Sequence, residues 1–333
     1  MTIDRLQEVA AECGMPRFAA RQMADWLYVK RIADVDDMTN LSKKARETLS
    51  RRYCVGRAAP KASARSVDGT VKYLFDGKGG RDVEAVYIPD RDRATLCVSS
   101  QAGCRMGCKF CMTGRQGFHG NLTAGDIINQ VLSIPESESL TNIVFMGMGE
   151  PMDNLDAVLD AITVLTSPWG LAWSPKRITV STIGKITELK RLLDETKVHV
   201  AISVHAPSAP LRESLMPVEK AYPLKSVLEL LKHYDFSHQR RLSVEYIMWG
   251  GLNDTLRHAQ SLARLLKGLD CRVNLIRFHA IPDSDLHTSD DSTMTAFRDR
   301  LNELGITATI RTSRGEDIAA ACGMLAGKSK NDS

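Results

Sequence analysis

Three cysteines, Cys104, Cys108 and Cys111, stand at x3 and x2 spacing in the segment QAGCRMGCKFCMTGRQGF. On so short a loop each thiolate can hold one iron of a cubane cluster, and with no fourth cysteine in the loop one iron keeps an open position. An open iron can take the amino and carboxylate groups of S-adenosylmethionine (SAM) and pass on the electron that cleaves it to methionine and a 5′-deoxyadenosyl radical. Gly103, Gly107 and Gly114 let the backbone wrap closely around such a cluster. Short cysteine spacings also serve zinc, and His119 is the histidine placed to complete a zinc site. The position of the loop, directly after the first strand of a barrel-like pattern, favours the cluster.

The other residues that could do chemistry read quietly by themselves. Cys97 alternates with apolar neighbours in a strand, and Cys322 sits among alanines in the helix-like RGEDIAAACGMLAG; small buried thiols are common in such places. Cys13, Cys54 and Cys271 have no partner at a recognisable spacing. Glu84 reads as a surface carboxylate on a hairpin. GMGE reads as a turn, Ser181 and Thr182 as a helix cap, and His205 as a satisfied polar residue.

Positioning these groups requires a scaffold, and the chain supplies a regular one. From residue 94 the strand-like runs ATLCVSS, NIVFMGM, RITVST, VHVAISVHA, LSVEYIMW, RVNLIRFHA and TATIRT alternate with helical stretches such as LTAGDIINQVLSI and PLKSVLELLKHY. Alternation of this kind predicts an α/β fold, a partial or complete TIM-like (β/α) barrel with its site at the C-terminal ends of the strands. Before it, apolar residues at helical spacing in RFAARQMADWLYVKRI predict a small helical accessory domain over residues 1–55. A linker and a β-hairpin, VKYLF with VEAVYI, fill 56–93, the core runs 94–327, and 328–333 is a polar tail.

Composition bounds the reading further. The 333 residues are 43% hydrophobic and 25% charged, an ordinary globular balance. No stretch approaches the roughly 18–20 apolar residues of a membrane span, and the N-terminus lacks a signal-peptide plan, so a cytoplasmic location is expected. In that reducing compartment the eight cysteines are not a structural disulfide framework. The net charge of +4 is too mild to imply nucleic acid by itself. A basic run, Lys43, Lys44, Arg46, Arg51 and Arg52, lies near Trp26, Tyr28 and Tyr53; it suits phosphates or a plain solvated helix face equally well.

Taken together, the strings VEAVYIP, TLCVSSQAGC, FCMTGRQGF, FMGMGEP, STIG, AISVHAP and RGEDIAAACG, in this order, resemble the RlmN/Cfr family of radical SAM RNA methyltransferases. The resemblance implies a 4Fe–4S cluster on Cys104, Cys108 and Cys111, and SAM contacts from Gly149, Glu150, Ser181, Ser203, Val204 and His205. It gives Cys322 as the residue that first receives a methyl from SAM, Cys97 as the thiol that later releases the product by forming a disulfide with Cys322, and Glu84 as the base. His279 stands where the family usually has Asn, and Arg277 and Phe278 also depart from its pattern, which puts that SAM contact in doubt.

The implied activity is methylation of an sp² carbon of an RNA adenine, C2 by preference, in 23S rRNA at the peptidyl-transferase centre and in tRNA. The alternatives are C8 of the same adenine, a radical SAM reaction on a different RNA, and a non-catalytic RNA-binding protein with a structural metal. A flavodoxin or ferredoxin system is the implied electron donor, and a monomer the default state.

Overall fold

Runs such as NIVF and HVAIS are apolar on successive residues rather than alternating, the mark of a strand covered on both faces. Each is a strand in the computed structural model, which describes residues 1–238 and 240–327; the polar tail lies outside these. The strands are β1 (Ala62–Arg65), β2 (Val71–Phe75), β3 (Val83–Asp90), β4 (Arg93–Cys97), β5 (Gln101–Gly103), β6 (Phe118–Asn121), β7 (Asn142–Phe145), β8 (Ile178–Thr182), β9 (His199–Ser203), β10 (Leu242–Met248), β11 (Arg272–Arg277) and β12 (Ala308–Ile310). The helices are α1 (Ile3–Glu12), α2 (Ala19–Ala24), α3 (Lys43–Ser50), α4 (Met112–Arg115), α5 (Ala124–Leu132), α6 (Leu155–Thr166), α7 (Ile186–Glu195), α8 (Ala209–Leu215), α9 (Leu224–Leu231), α10 (Leu256–Leu265) and α11 (Asp291–Glu303).

One sheet runs β1-β2-β3-β4-β7-β8-β9-β10-β11-β12. Its first four strands are antiparallel, and from β4 onward every pairing is parallel. Among the described residues β12 pairs with β11 alone and β1 with β2 alone, so the barrel is partial and open at one side. All seven strand runs read from residue 94 onward are present, and so is the hairpin. The stretch read as a linker contains β1, laid antiparallel on β2.

Helices cover the outer face because their apolar residues recur every three or four positions. In α6 the buried set includes Val158, Ala161, Ile162 and Leu165. Helix starts are fixed by caps: the Thr123 hydroxyl accepts from Asp126 N at 3.1 Å while Asp126 reaches back to Thr123 N at 2.8 Å. Within residues 1–55, Leu6, Val9, Ala10, Met23 and Tyr28 are buried and continuous with the main core. Tyr28 contacts Trp169, with ring centroids 6.1 Å apart. Among the described residues no helix is long and apolar enough to cross a membrane.

Candidate active site

The three-cysteine loop begins where β5 ends. Gly103 has φ +73°, and an added Cβ would lie 1.9 Å from the Gly117 carbonyl oxygen, so only glycine lets the two backbones meet. That approach places Cys104 N within 2.9 Å of Gly117 O. Cys108 follows in the loop and Cys111 is the N-cap of α4. All three thiols line one chamber of about 160 Å³ with Gly149, Glu150 and Ser203. Burial pushes the Cys104 thiol up to about 12 and raises Cys108 and Cys111 as well, with Cys111 adding to the rise of Cys104 and both of them to that of Cys108. Left as thiols they would not ionise at neutral pH; a bound metal centre is what deprotonates such groups.

Glu150 is 4% exposed and enters the chamber from the end of the GMGE turn. Gly149, at φ +100°, leaves no room for a side chain, since a Cβ would meet Gln101 Cβ at 2.6 Å. The carboxylate accepts from Thr182 Oγ1, and from Met152 N and Ile183 N at 3.1 Å each. Burial raises it to about 7 against these donors. Ser181 and Ser203, at the ends of β8 and β9, and His205 line the same space. Val204 is wholly buried and is not in the chamber lining; its N donates to Glu245 O at 3.1 Å.

His205 holds φ +58°, a conformation that needs fixing from outside. Asn253 Nδ2 donates to its carbonyl at 2.8 Å and Ile247 N to its Nδ1 at 3.1 Å, so the ring proton sits on Nε2. Burial and then the Arg212 charge push its pKa down to about 3, leaving it neutral. Arg212, 1% exposed, pairs with buried Glu219 and donates to the carbonyls of Ser203 at 2.9 Å and Val204 at 3.2 Å. This pair, which the sequence reading did not single out, clamps the β9 end of the chamber. Phe110, Trp249 and Phe278 close the apolar side, Phe110 meeting His205 edge-on at 5.1 Å.

Cys322 is placed differently from its helix-like reading. The segment forms a single 3-10 turn, Glu316–Ile318, with Gly315, Ala319, Gly323 and Gly327 all at positive φ. Hooks from the rest of the molecule override the helix preference of its alanines. Asp68 accepts from Gly315 N at 2.9 Å, Lys72 Nζ donates to Ala319 O at 3.2 Å, Gly323 O accepts from Met112 N at 2.8 Å, and Glu84 Oε2 accepts from Ala326 N at 3.0 Å. The thiol lines the chamber and also a wider cleft of about 530 Å³ that opens to solvent, so it stands at their junction.

Cys97, 8% exposed, ends β4 and lies in the electrostatic field of Cys322. Burial first, then Cys322, pushes it up to about 12, opposed by Arg311 and by the Met146 N–H. Both are free thiols. Glu84 is not the surface carboxylate of the hairpin reading: it is 5% exposed, 3.2 Å from Lys72 Nζ, and it touches the Cys322 segment from behind, in the lining of neither the chamber nor the cleft. His279 lines the cleft rather than the chamber. Its Nε2 is 3.1 Å from Ser313 Oγ and its Nδ1 3.4 Å from Glu316. His119 bonds the Gln116 carbonyl through Nε2 at 3.1 Å and is outside the chamber lining, so the zinc reading loses its fourth ligand.

Comparison with known proteins agrees with this geometry. The model of the radical SAM superfamily matches residues 98–266, and that of the ribosomal RNA large subunit methyltransferase N-terminal domain matches residues 1–55. A probable dual-specificity RNA methyltransferase RlmN of Parabacteroides distasonis is 58% identical, over 98% of this chain and 95% of that protein. The chain belongs to the RlmN family. A dual-specificity RNA methyltransferase RlmN of Bdellovibrio bacteriovorus is 41% identical over 98% of this chain and 82% of its own length. The crystal structure of a radical SAM methyltransferase from Sphaerobacter thermophilus superposes with a TM-score of 0.91 at 39% identity, covering 98% and 97% of the two chains. This RlmN-family chain is therefore a SAM-dependent methyltransferase enzyme.

Radical SAM membership implies a 4Fe–4S cluster and SAM, and the chamber of this RlmN-family chain fits both. Three half-buried cysteines on one loop, their thiols raised until a metal centre ionises them, suit the cluster. A buried carboxylate with serine hydroxyls and the His205 Nε2–H suits a zwitterionic nucleoside. Among the described residues no three His, Cys, Asp or Glu side chains converge on a single-ion cage; cluster thiolates sit on separate irons and need no such convergence. Sequence reading missed Arg311, Glu245 and Lys72, which carry no motif and gain meaning only from their neighbours.

Proposed function

We propose that this chain methylates C2 of an adenine in RNA, in 23S rRNA and in tRNA, by way of a methyl group carried on Cys322. The observation that carries the reading is the place of Cys322, between a chamber suited to cluster and SAM and a cleft open to a large substrate. The relatives named for dual-specificity RNA methylation support the substrate class.

When bound, the cluster and SAM would supply the one-electron cleavage that turns the Cys322 methyl into a carbon radical, the species able to add to an electron-poor adenine carbon. The other steps fall to the chain's residues. Cys104, Cys108 and Cys111 would hold the cluster, Glu150 the methionine ammonium, and Ser181, Ser203 and His205 the nucleoside. Cys322 would take the methyl of a first SAM as a nucleophile, releasing S-adenosylhomocysteine. Glu84 would remove the adenine proton, for which it must first leave Ala326 and Lys72. Once the adduct has given up its unpaired electron to the bound cluster, the Cys97 thiolate would attack the Cys322 sulfur. The C–S electron pair would stay with the methylene carbon, which takes up a proton to become the new methyl, and the disulfide left behind is one that a reductant must reopen.

Anaerobic reconstitution followed by SAM, reductant and unmodified 23S rRNA or tRNA tests this by mass spectrometry of protein and digested RNA. Methyl-Cys322 together with 2-methyladenosine is the expected result. 8-Methyladenosine moves the assignment to the other carbon, and neither base product sinks the RNA reading. Cys97→Ser should leave RNA covalently tied to Cys322, seen as a shifted band that nuclease trims.

A further inference from the structure

Glu245 lies in the middle of β10, level with Ser203 of β9 and Asn274 of β11, and is 3% exposed. One carboxylate oxygen, Oε1, accepts from Asn274 Nδ2 at 2.8 Å and Ser243 Oγ at 3.1 Å. The other, Oε2, is buried without any hydrogen-bond partner. A buried oxygen in that condition calls for an explanation, and a bound donor is the simplest. The residue lines both the chamber and the cleft, and the side chains it shares that position with are Met146, Ile276, Arg311 and Cys322.

The composition of that junction is specific. Arg311 lies in the electrostatic field of Glu245, yet among the described residues no ion pair joins the two, and the guanidinium instead reaches Met146 Sδ at 3.7 Å. An acceptor and a donor thus face a common space without consuming each other, walled by a thioether and an aliphatic side chain that suit a flat ring. The methyl-carrying sulfur stands beside them.

Resting on the RNA-adenine reading above, the geometry points to Glu245 as the residue that recognises the target base, its Oε2 accepting from the adenine 6-amino group while Arg311 donates to a ring nitrogen. Guanine would set its 6-oxo oxygen against the carboxylate and is rejected by repulsion as well as by the lost bond. Recognition through the amino group leaves both C2 and C8 free for chemistry, so it holds for either carbon. SAM carries donors too, among them its own 6-amino group. Of the residues assigned to it, Gly149, Glu150, Ser181, Ser203 and His205 line the chamber alone and His279 the cleft alone, whereas Glu245 faces both cavities beside Cys322, which favours the RNA base.

The test uses the reconstituted holoenzyme with short RNAs carrying adenosine, purine riboside (no amino group) or guanosine at the target position, and reads methyl-Cys322 in the protein and methylated base in the RNA. Wild type should prefer adenosine over purine riboside by about 10²-fold or more in kcat/KM. E245Q should lower RNA methylation by about 10²-fold relative to Cys322 methylation, which needs no RNA. E245A should shrink the adenosine preference to a few-fold. The wild-type comparison stands even if a variant fails to fold. Equal use of purine riboside by wild type, or an unchanged preference in E245A, overturns the assignment. Parallel loss of Cys322 methylation in E245Q also overturns it and gives the oxygen to SAM. No RNA methylation by wild type at all overturns the broader reading and this one with it.

Discussion

At the scale of single residues, burial decides what each group can do. Glu150 is held at about 7, above its ordinary carboxylate range, by burial in the chamber. Because its folded pKa is raised, its favourable contribution is complete at pH below about 4.5 and is lost as pH rises through about 7. Glu150→Gln should therefore stabilise the cluster-free protein more at pH 8 than at pH 5, with a difference on the order of 3 kcal/mol. Thermal melts of both proteins across that range check this, and a gap that does not change with pH means that Glu150 does not titrate there. Once SAM binds, its ammonium would supply a countercharge to Glu150.

Elements set where those residues stand. The β9 end of the chamber depends on the buried Arg212–Glu219 pair, and removing one partner strands the other charge. Arg212→Met should cost about 3–5 kcal/mol in denaturant unfolding, and a loss under about 1 kcal/mol would show that the pair is not the clamp described. The segment that carries Cys322 is held by polar hooks rather than by helical bonds. Lys72 serves both Ala319 and Glu84, so Lys72→Met should destabilise by about 1–3 kcal/mol. It should also slow RNA methylation more than Cys322 methylation, because Glu84, as the proposed base, would enter only the RNA step. Equal slowing of both would show that Lys72 merely supports the fold.

For the whole molecule, charge placement matters more than net charge. Lys43, Lys44, Arg51 and Arg52 are exposed around α3, while Tyr28 is buried, and Tyr53 is engaged with Glu12. Arg52 Nη1 donates to the Glu12 carbonyl at 3.0 Å yet, like the other three basic side chains, stays exposed, so these side chains rather than the two tyrosines are open to RNA phosphates. Reversing all four charges should weaken RNA binding and flatten its dependence on salt, the logarithmic slope falling by about 0.7–0.9 for each phosphate that is no longer neutralised. Filter binding at several salt concentrations measures this, and an unchanged slope would place the RNA elsewhere.

Much of this was legible in the sequence because it depends on local order. The seven strand runs, the hairpin and the three-cysteine loop are set by hydrophobic runs, turn glycines and spacing, which a linear reading captures. The chamber follows from them, since parallel strands bring their C-terminal ends together and GMGE, STIG and AISVHAP each lie at such an end. Local preference misreads the Cys322 segment because an alanine-rich helix tendency is weak against hooks supplied by Asp68, Lys72, Glu84 and Met112, all more than 200 residues away in the chain. Glu84 looks like a surface group for the same reason: what covers it arrives from residue 326. The sequence alone determined the class of fold and the placing of three cysteines on one short loop. Tertiary structure alone decided that Cys322 stands between two cavities and that Glu245 keeps a buried oxygen open beside it, because only packing brings together side chains that sequence leaves far apart.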